Sequence, residues 1–271
     1  MGSKKFIATI VSIPLVLVFS YVSLCSYGFN GLANYVIEGF MVASAFAAFV
    51  LWVHAVIPYG FRSVFGKMFV GIMLFLGLAA SGLLLLYIYS LFPLLEYSMV
   101  FYIIGGVLFT ISFLPLCASL LTFLCEQRVL LKKPIETANV YSSVIFVGGL
   151  ALFWIYFIIS TTRIILESLN VQAITVLAYT SYVVFDIIVL TLVIPLITAS
   201  FKHGILQGAV RELLLAIVIY AIANILYNYV AVLNVEIWLI DVLPIIMTSV
   251  AYVFIAKPSL TLAKLGKIST V

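Results

Sequence analysis

Residues 74–89 read LFLGLAASGLLLLYIY. The stretch carries no charge, and its polar and apolar residues do not alternate. A membrane β-barrel would show segments of about ten residues with alternating polarity. The apolar run extends over about 67–90, which exceeds the roughly 20 residues a helix needs to cross about 30 Å of hydrocarbon. In lipid every backbone N–H and C=O must be satisfied within the segment, so a helix is the expected form.

Seven further runs of the same kind lie on either side, at about 6–27, 37–58, 97–125, 139–161, 172–200, 211–231 and 235–256. The chain of 271 residues is 66% hydrophobic and 8% charged, with a mean hydropathy of +1.35. Soluble domains are about 45–50% apolar and about 25% charged, and their surfaces must be wetted by polar groups. No polar stretch here is long enough to build one. The expectation is a single all-α domain over 1–271, a polytopic transmembrane helix bundle with eight spans.

The short loops test that count. Lys4 and Lys5 precede the first run; Arg62 and Lys67 follow the second; Arg128, Lys132 and Lys133 follow the fourth. Lys202 and Arg211 follow the sixth, and Lys257, Lys264 and Lys267 follow the eighth. The alternate loops hold Glu96, Glu236 and one cation, Arg163. Cytoplasmic loops of membrane proteins carry the excess of Lys and Arg, so both termini are expected inside. A missed or invented span would scramble the alternation. The net charge of +4 is read as topogenic and lipid-facing.

The first run is too long for a signal-peptide core and lacks a small-residue cleavage site, so it reads as a retained helix. Cys25, Cys117 and Cys125 have no metal-ligand spacing and read as small buried apolar residues. No cofactor or metal is expected. Gly39, Ala43 and Ala47, with Ser44 and Ala48 alongside, form a small-residue stripe suited to close helix packing, as do Gly77 with Ser81, Gly105-Gly106 and Gly148-Gly149. Pro14, Pro115, Pro195 and Pro244 fall inside runs and are expected to kink them. FRSVFGK and FKHGILQGAVRE occupy matching places in a 4+4 scheme, which raises a parallel repeat. After Lys257-Pro258 the tail is expected to lie at the interface or to fray.

Asp186 stands near the middle of the sixth run. A carboxyl at the bilayer centre costs about 2.5–3.5 kcal/mol on insertion scales, so it should face protein or a hydrated path. Tyr179 and Tyr182 share its helix face and are candidate hydroxyl partners. Tyr220, Asn224 and Asn228 follow one another at four-residue spacing in the seventh run, and Asp241 enters the eighth. Together these groups read as a substrate or proton pathway, or as structural hydrogen bonding between helices. His54 and His203 lie at or beyond the membrane edge, which does not suit haem ligation. No nucleotide-binding, protease or hydrolase motif occurs, so enzymatic activity is not expected.

In size, in its chain of spans from Phe6 to Ala256 and in short basic inner loops such as RVLLKK, the sequence resembles the CedA-type polytopic subunit of the crenarchaeal DNA-import system. No diagnostic motif accompanies the resemblance. It implies an archaeal cell-membrane conduit for DNA that works with a cytoplasmic ATPase and membrane partner subunits. The leading expectation is therefore a non-enzymatic channel or translocation subunit. The alternative is a proton-coupled small-solute secondary transporter using Asp186.

Overall fold

The structure, a computed structural model, describes residues 16–60, 63–95, 97–131, 170–198, 207–233 and 238–269. Every regular element among them is helical. We label them α1 (Val16–Ser26), α2 (Asn30–Val56), α3 (Val64–Leu91), α4 (Ser98–Leu131), α5 (Asn170–Thr198), α6 (Gln207–Leu233) and α7 (Trp238–Ser269); a short 3₁₀ turn, Ile57–Tyr59, follows α2. Five helical stretches are long and apolar enough to cross a membrane: Asn30–Tyr59, Phe65–Leu91, Ser98–Leu124, Gly208–Asn228 and Val242–Leu265. Shorter apolar helical stretches are Val16–Ser26 and Tyr182–Ile194. These are the helices of a membrane protein. The run at 139–161, with Gly148-Gly149, lies outside the described residues, as do Pro14, Arg163 and His203.

Six helices close a ring in the order α2, α3, α4, α5, α6, α7 and back to α2. Their contacts fix the directions. Trp52 meets Phe69 while Tyr87 meets Gly39, so α2 and α3 are antiparallel. Phe75 meets Phe113 while Tyr89 meets Tyr102, so α3 and α4 are antiparallel. Glu212 meets Lys257 while Tyr220 meets Tyr252, so α6 and α7 are antiparallel. Two seams run the other way. Phe109 packs on Tyr182 and Phe113 on Phe185, so α4 and α5 are parallel. Trp52 Nε1 donates to the Ile255 carbonyl at 2.9 Å and Tyr59 Oη to the Leu262 carbonyl at 2.8 Å, so α2 and α7 are parallel. The ring is thus two up-down-up triples, α2–α3–α4 and α5–α6–α7, joined by parallel seams. Phe75 on the middle helix of one triple meets Tyr220 on the middle helix of the other, with ring centroids 5.3 Å apart. This is the arrangement a parallel repeat would produce. α1 lies outside the ring, where Leu17 and Tyr21 pack with Ala33, Ile37, Val242 and Ile246.

Local chemistry explains the turns. Gly28 has φ +82°, Phe29 N–H bonds the Leu24 carbonyl and Gly28 N–H bonds the Cys25 carbonyl. This double bond pattern ends a helix at a left-handed residue, which glycine adopts without a Cβ clash. The connection after α1 is therefore far shorter than the YGFNGLANYV loop suggested, and α2 begins at Asn30 rather than near 37. At the other end of α2, Ser63 caps α3 by accepting from Gly66 N–H at 2.9 Å.

Packing corrects the small-residue stripe. Ala43 and Ala47 face outward, and the buried small residues of α2 are Ala33, Ser44, Ala45, Ala48 and Ala55. α3 and α4 approach each other closely. A Cβ on Gly82 would stand 2.8 Å from the Gly105 carbonyl oxygen, and one on Gly105 would stand 2.9 Å from the Gly82 carbonyl oxygen. Gly77 accommodates Phe49 instead.

The tail also departs from expectation. α7 runs through Pro244 and Pro258 to Ser269. Its 32 residues span about 48 Å at 1.5 Å per residue. A helical proline leaves the preceding turn short of a donor. Around Pro258 the Trp52 indole and the Tyr59 hydroxyl supply donors to α7 carbonyls, and Ser259 and Leu262 are buried. The tail is docked by α2 and its 3₁₀ turn and does not fray.

Candidate functional site

The sixth hydrophobic run becomes α5, and Asp186 projects from it into the bundle with no exposed surface. Its partner comes from α6. Asn224 Nδ2 donates to Asp186 Oδ2 at 2.6 Å. Asn228, one turn further along α6, donates its own Nδ2 to the Asn224 backbone carbonyl at 2.8 Å. Both amide orientations follow from chemistry, since an amide oxygen cannot donate to a carbonyl or to a carboxylate. Asn228 therefore presents Oδ1 elsewhere.

Tyr220 lies one turn before Asn224 on the same face, fully buried. Its ring packs on Phe75, on Phe113 and on Tyr252 of α7, at 5.3, 6.3 and 5.4 Å. Tyr252 is also fully buried. Asp186 lies within electrostatic reach of Tyr220, of Tyr252 and of Cys117 on α4. Four side-chain oxygens in this region are buried without a well-formed hydrogen bond among the described residues: Asp186 Oδ1, Asn228 Oδ1, and Tyr220 Oη and Tyr252 Oη, which lie close enough to interact with each other. All four belong to the α5–α7 triple. A buried polar group left unpaired costs about 1–3 kcal/mol, so buried oxygens without partners call for an explanation.

The structure thus brings together Asp186, Tyr220, Asn224 and Asn228. Tyr182 donates its hydroxyl to the Gly106 carbonyl across the α4–α5 seam at 3.4 Å and lies within electrostatic reach of Tyr220. Among the described residues the hydrogen-bond partner of Asp186 is an amide from the neighbouring helix, and Tyr182 is not bonded to it. The Tyr179 and Asp241 side chains lie outside the described residues.

Tyr252 escaped the sequence reading because one tyrosine in an apolar run looks like any other core aromatic. Glu38 escaped for a different reason. With α2 starting at Asn30, this acid stands well inside the helix, half-buried and close to Ser90 on α3. The longer helix pattern beginning at Asn30 was the signal for it. Among the described residues no cluster of His, Cys, Asp and Glu is arranged to hold a metal ion.

No family model, no curated protein and no solved structure matches this chain. Its chemistry is therefore read from the site itself.

Proposed function

We propose that the chain is a multi-pass transport protein of the cell membrane, with eight spans and both termini inside, and that Asp186 carries a proton in its transport step. The observation behind this reading is the sealed carboxyl. Asp186 has no exposed surface and one amide partner, and its second oxygen has no partner among the described residues. Intramembrane acids of this kind characteristically mark ion or proton pathways. A purely structural acid would be expected to have its remaining oxygen satisfied.

The eight-span count has its own support. Because α4 and α5 are parallel, Leu131 and Asn170 stand at opposite ends of the bundle. An odd number of crossings between them accommodates this, and the sequence offers one, at 139–161. The parallel seam of α2 with α7 requires the same parity.

The competing reading, a DNA-import conduit with a cytoplasmic ATPase and partner subunits, draws on the basic loops and the resemblance. Where the two triples of the ring meet, Phe75, Phe113 and Tyr220 pack ring against ring. That closure suits a proton better than a nucleic acid strand.

The test is proton flux into liposomes holding the purified protein and a pH-sensitive dye, driven by a potassium diffusion potential. Wild type is expected to exceed protein-free liposomes. Asp186→Asn should lose at least tenfold of that flux, and Asp186→Glu should retain part of it. Equal flux in wild type and Asp186→Asn would remove the proposal.

A further inference from the structure

The unpartnered oxygens are not scattered. Tyr220, Asn224 and Asn228 follow at four-residue intervals on α6, a step of about 6 Å along the axis. Asp186 stands at the level of Asn224, to which it is bonded, and Tyr252 stands beside Tyr220. The result is three levels: the two phenols, then the Asp186–Asn224 pair, then Asn228. With backbone levels about 6 Å apart, a water oxygen that bonds in both directions can join side chains on neighbouring levels.

The donor inventory agrees. Each asparagine amide spends one of its two N–H donors, Asn224 on Asp186 and Asn228 on the α6 backbone. Among the described residues Asp186 Oδ1 and Asn228 Oδ1 have no partner, and the Tyr220 and Tyr252 hydroxyls lie close to each other. A water both donates and accepts, so it can join a hydroxyl to a carboxyl on one side and a carboxyl to an amide oxygen on the other. Buried waters typically make about three such bonds. The other triple gives the contrast: the Phe75–Phe113 pair faces the Tyr220–Tyr252 pair, and the hydroxyls occur on one side alone.

We propose that two bound waters bridge these three levels and that, with Asp186 between them, they form a proton file along α6. The proposal rests on the proton-carrying role of Asp186 and adds the route. When Asp186 releases its proton, its Oδ1–H bond breaks as an O–H bond forms on one bridging water, which passes a different proton onward. When it is reloaded, the other water loses a proton to Oδ1 and regains one from beyond. Asn228 and the two tyrosines orient the waters. No electrons move, and one proton crosses for each cycle. The groups facing Asp186 from the neighbouring helices are Asn224 and Tyr220 on α6, Tyr252 on α7 and Cys117 on α4, so no cation among the described residues competes for the carboxyl.

The test is infrared spectroscopy of the full chain in lipid, following the carboxylic acid C=O band that disappears in Asp186→Asn. In the wild type this band should be present and should shift on exchange into heavy water at the rate of mixing. Tyr220→Phe/Tyr252→Phe preserves the ring shapes, and Asn228→Leu preserves bulk; each should slow the shift at least tenfold, one from each side of Asp186. Absence of the band in wild type overturns the file, and so does unchanged exchange in either variant. If exchange is unchanged while Asp186→Asn still abolishes flux, the file falls and the proton-carrying role stands. If Asp186→Asn leaves flux intact, the role itself falls.

Discussion

Asn224 on α6 donates to Asp186 on α5 at 2.6 Å, and both side chains are buried. The bond ties two neighbouring helices at the point where a carboxyl would otherwise stand alone. Removing the amide leaves that carboxyl without its partner, whereas replacing both groups removes the polar demand altogether. Asn224→Ala is expected to destabilise by about 1–3 kcal/mol. Asp186→Leu/Asn224→Leu should recover most of that loss. Thermal unfolding in detergent, compared across the single and double variants, measures the coupling.

The α3–α4 seam depends on the absence of side chains. A Cβ at Gly82 would meet the Gly105 carbonyl oxygen and the Phe109 nitrogen at 2.8 Å, and both are backbone atoms that cannot swing aside. Gly82→Ala should therefore cost about 1–3 kcal/mol, the range for overpacking. Gly31→Ala meets nothing within 4 Å and should be close to neutral. The two melting temperatures, measured side by side, separate a packing glycine from an incidental one.

Docking of the tail rests on two hydrogen bonds from α2 and its 3₁₀ turn. Trp52→Phe and Tyr59→Phe each delete one donor while keeping most of the ring. Each should cost about 0.6–2 kcal/mol, the range for polar contacts between membrane helices. The double variant should expose the chain beyond Pro258 to limited proteolysis faster than wild type. Equal cleavage rates would mean that the tail is held by apolar packing alone.

The Lys257–Glu212 ion pair, at 2.8 Å, is a contrasting case. Its two side chains are 30% and 46% exposed, so solvent screens the attraction. Lys257→Ala should cost less than about 1 kcal/mol, and the difference should shrink as salt is added. Melting curves at low and high ionic strength check this.

Five of the expected spans were legible because lipid imposes a length and an apolarity on each of them. Asp186 stood out for the same reason, as an acid where lipid tolerates few. Its partner was not legible. Tyr182 shares its helix face, but which side chain fills the space beside a carboxyl depends on the neighbouring helix, and that helix presents Asn224. Helical spacing placed Tyr220, Asn224 and Asn228 on one face, though it could not reveal that Tyr252 joins them from α7. The stripe of Ala43 and Ala47 misled because four-residue spacing finds a face without saying which way it points. Pro258 misled because the groups that hold α7 beside it lie 203 residues away, on Trp52 and Tyr59.

The depth of the site depends on how the chain threads the bilayer, and two positions test this most directly. Leu94 is exposed in the turn between α3 and α4, and Lys264 lies near the end of α7. With all three native cysteines replaced by serine, Leu94→Cys and Lys264→Cys are treated with a membrane-impermeant maleimide before and after permeabilisation. Five crossings separate the two positions if 139–161 is a span. The expected result is labelling of Leu94→Cys in intact cells and of Lys264→Cys only once the membrane is opened. Labelling of both from the same side would contradict the eight-span path and the mid-membrane position of Asp186.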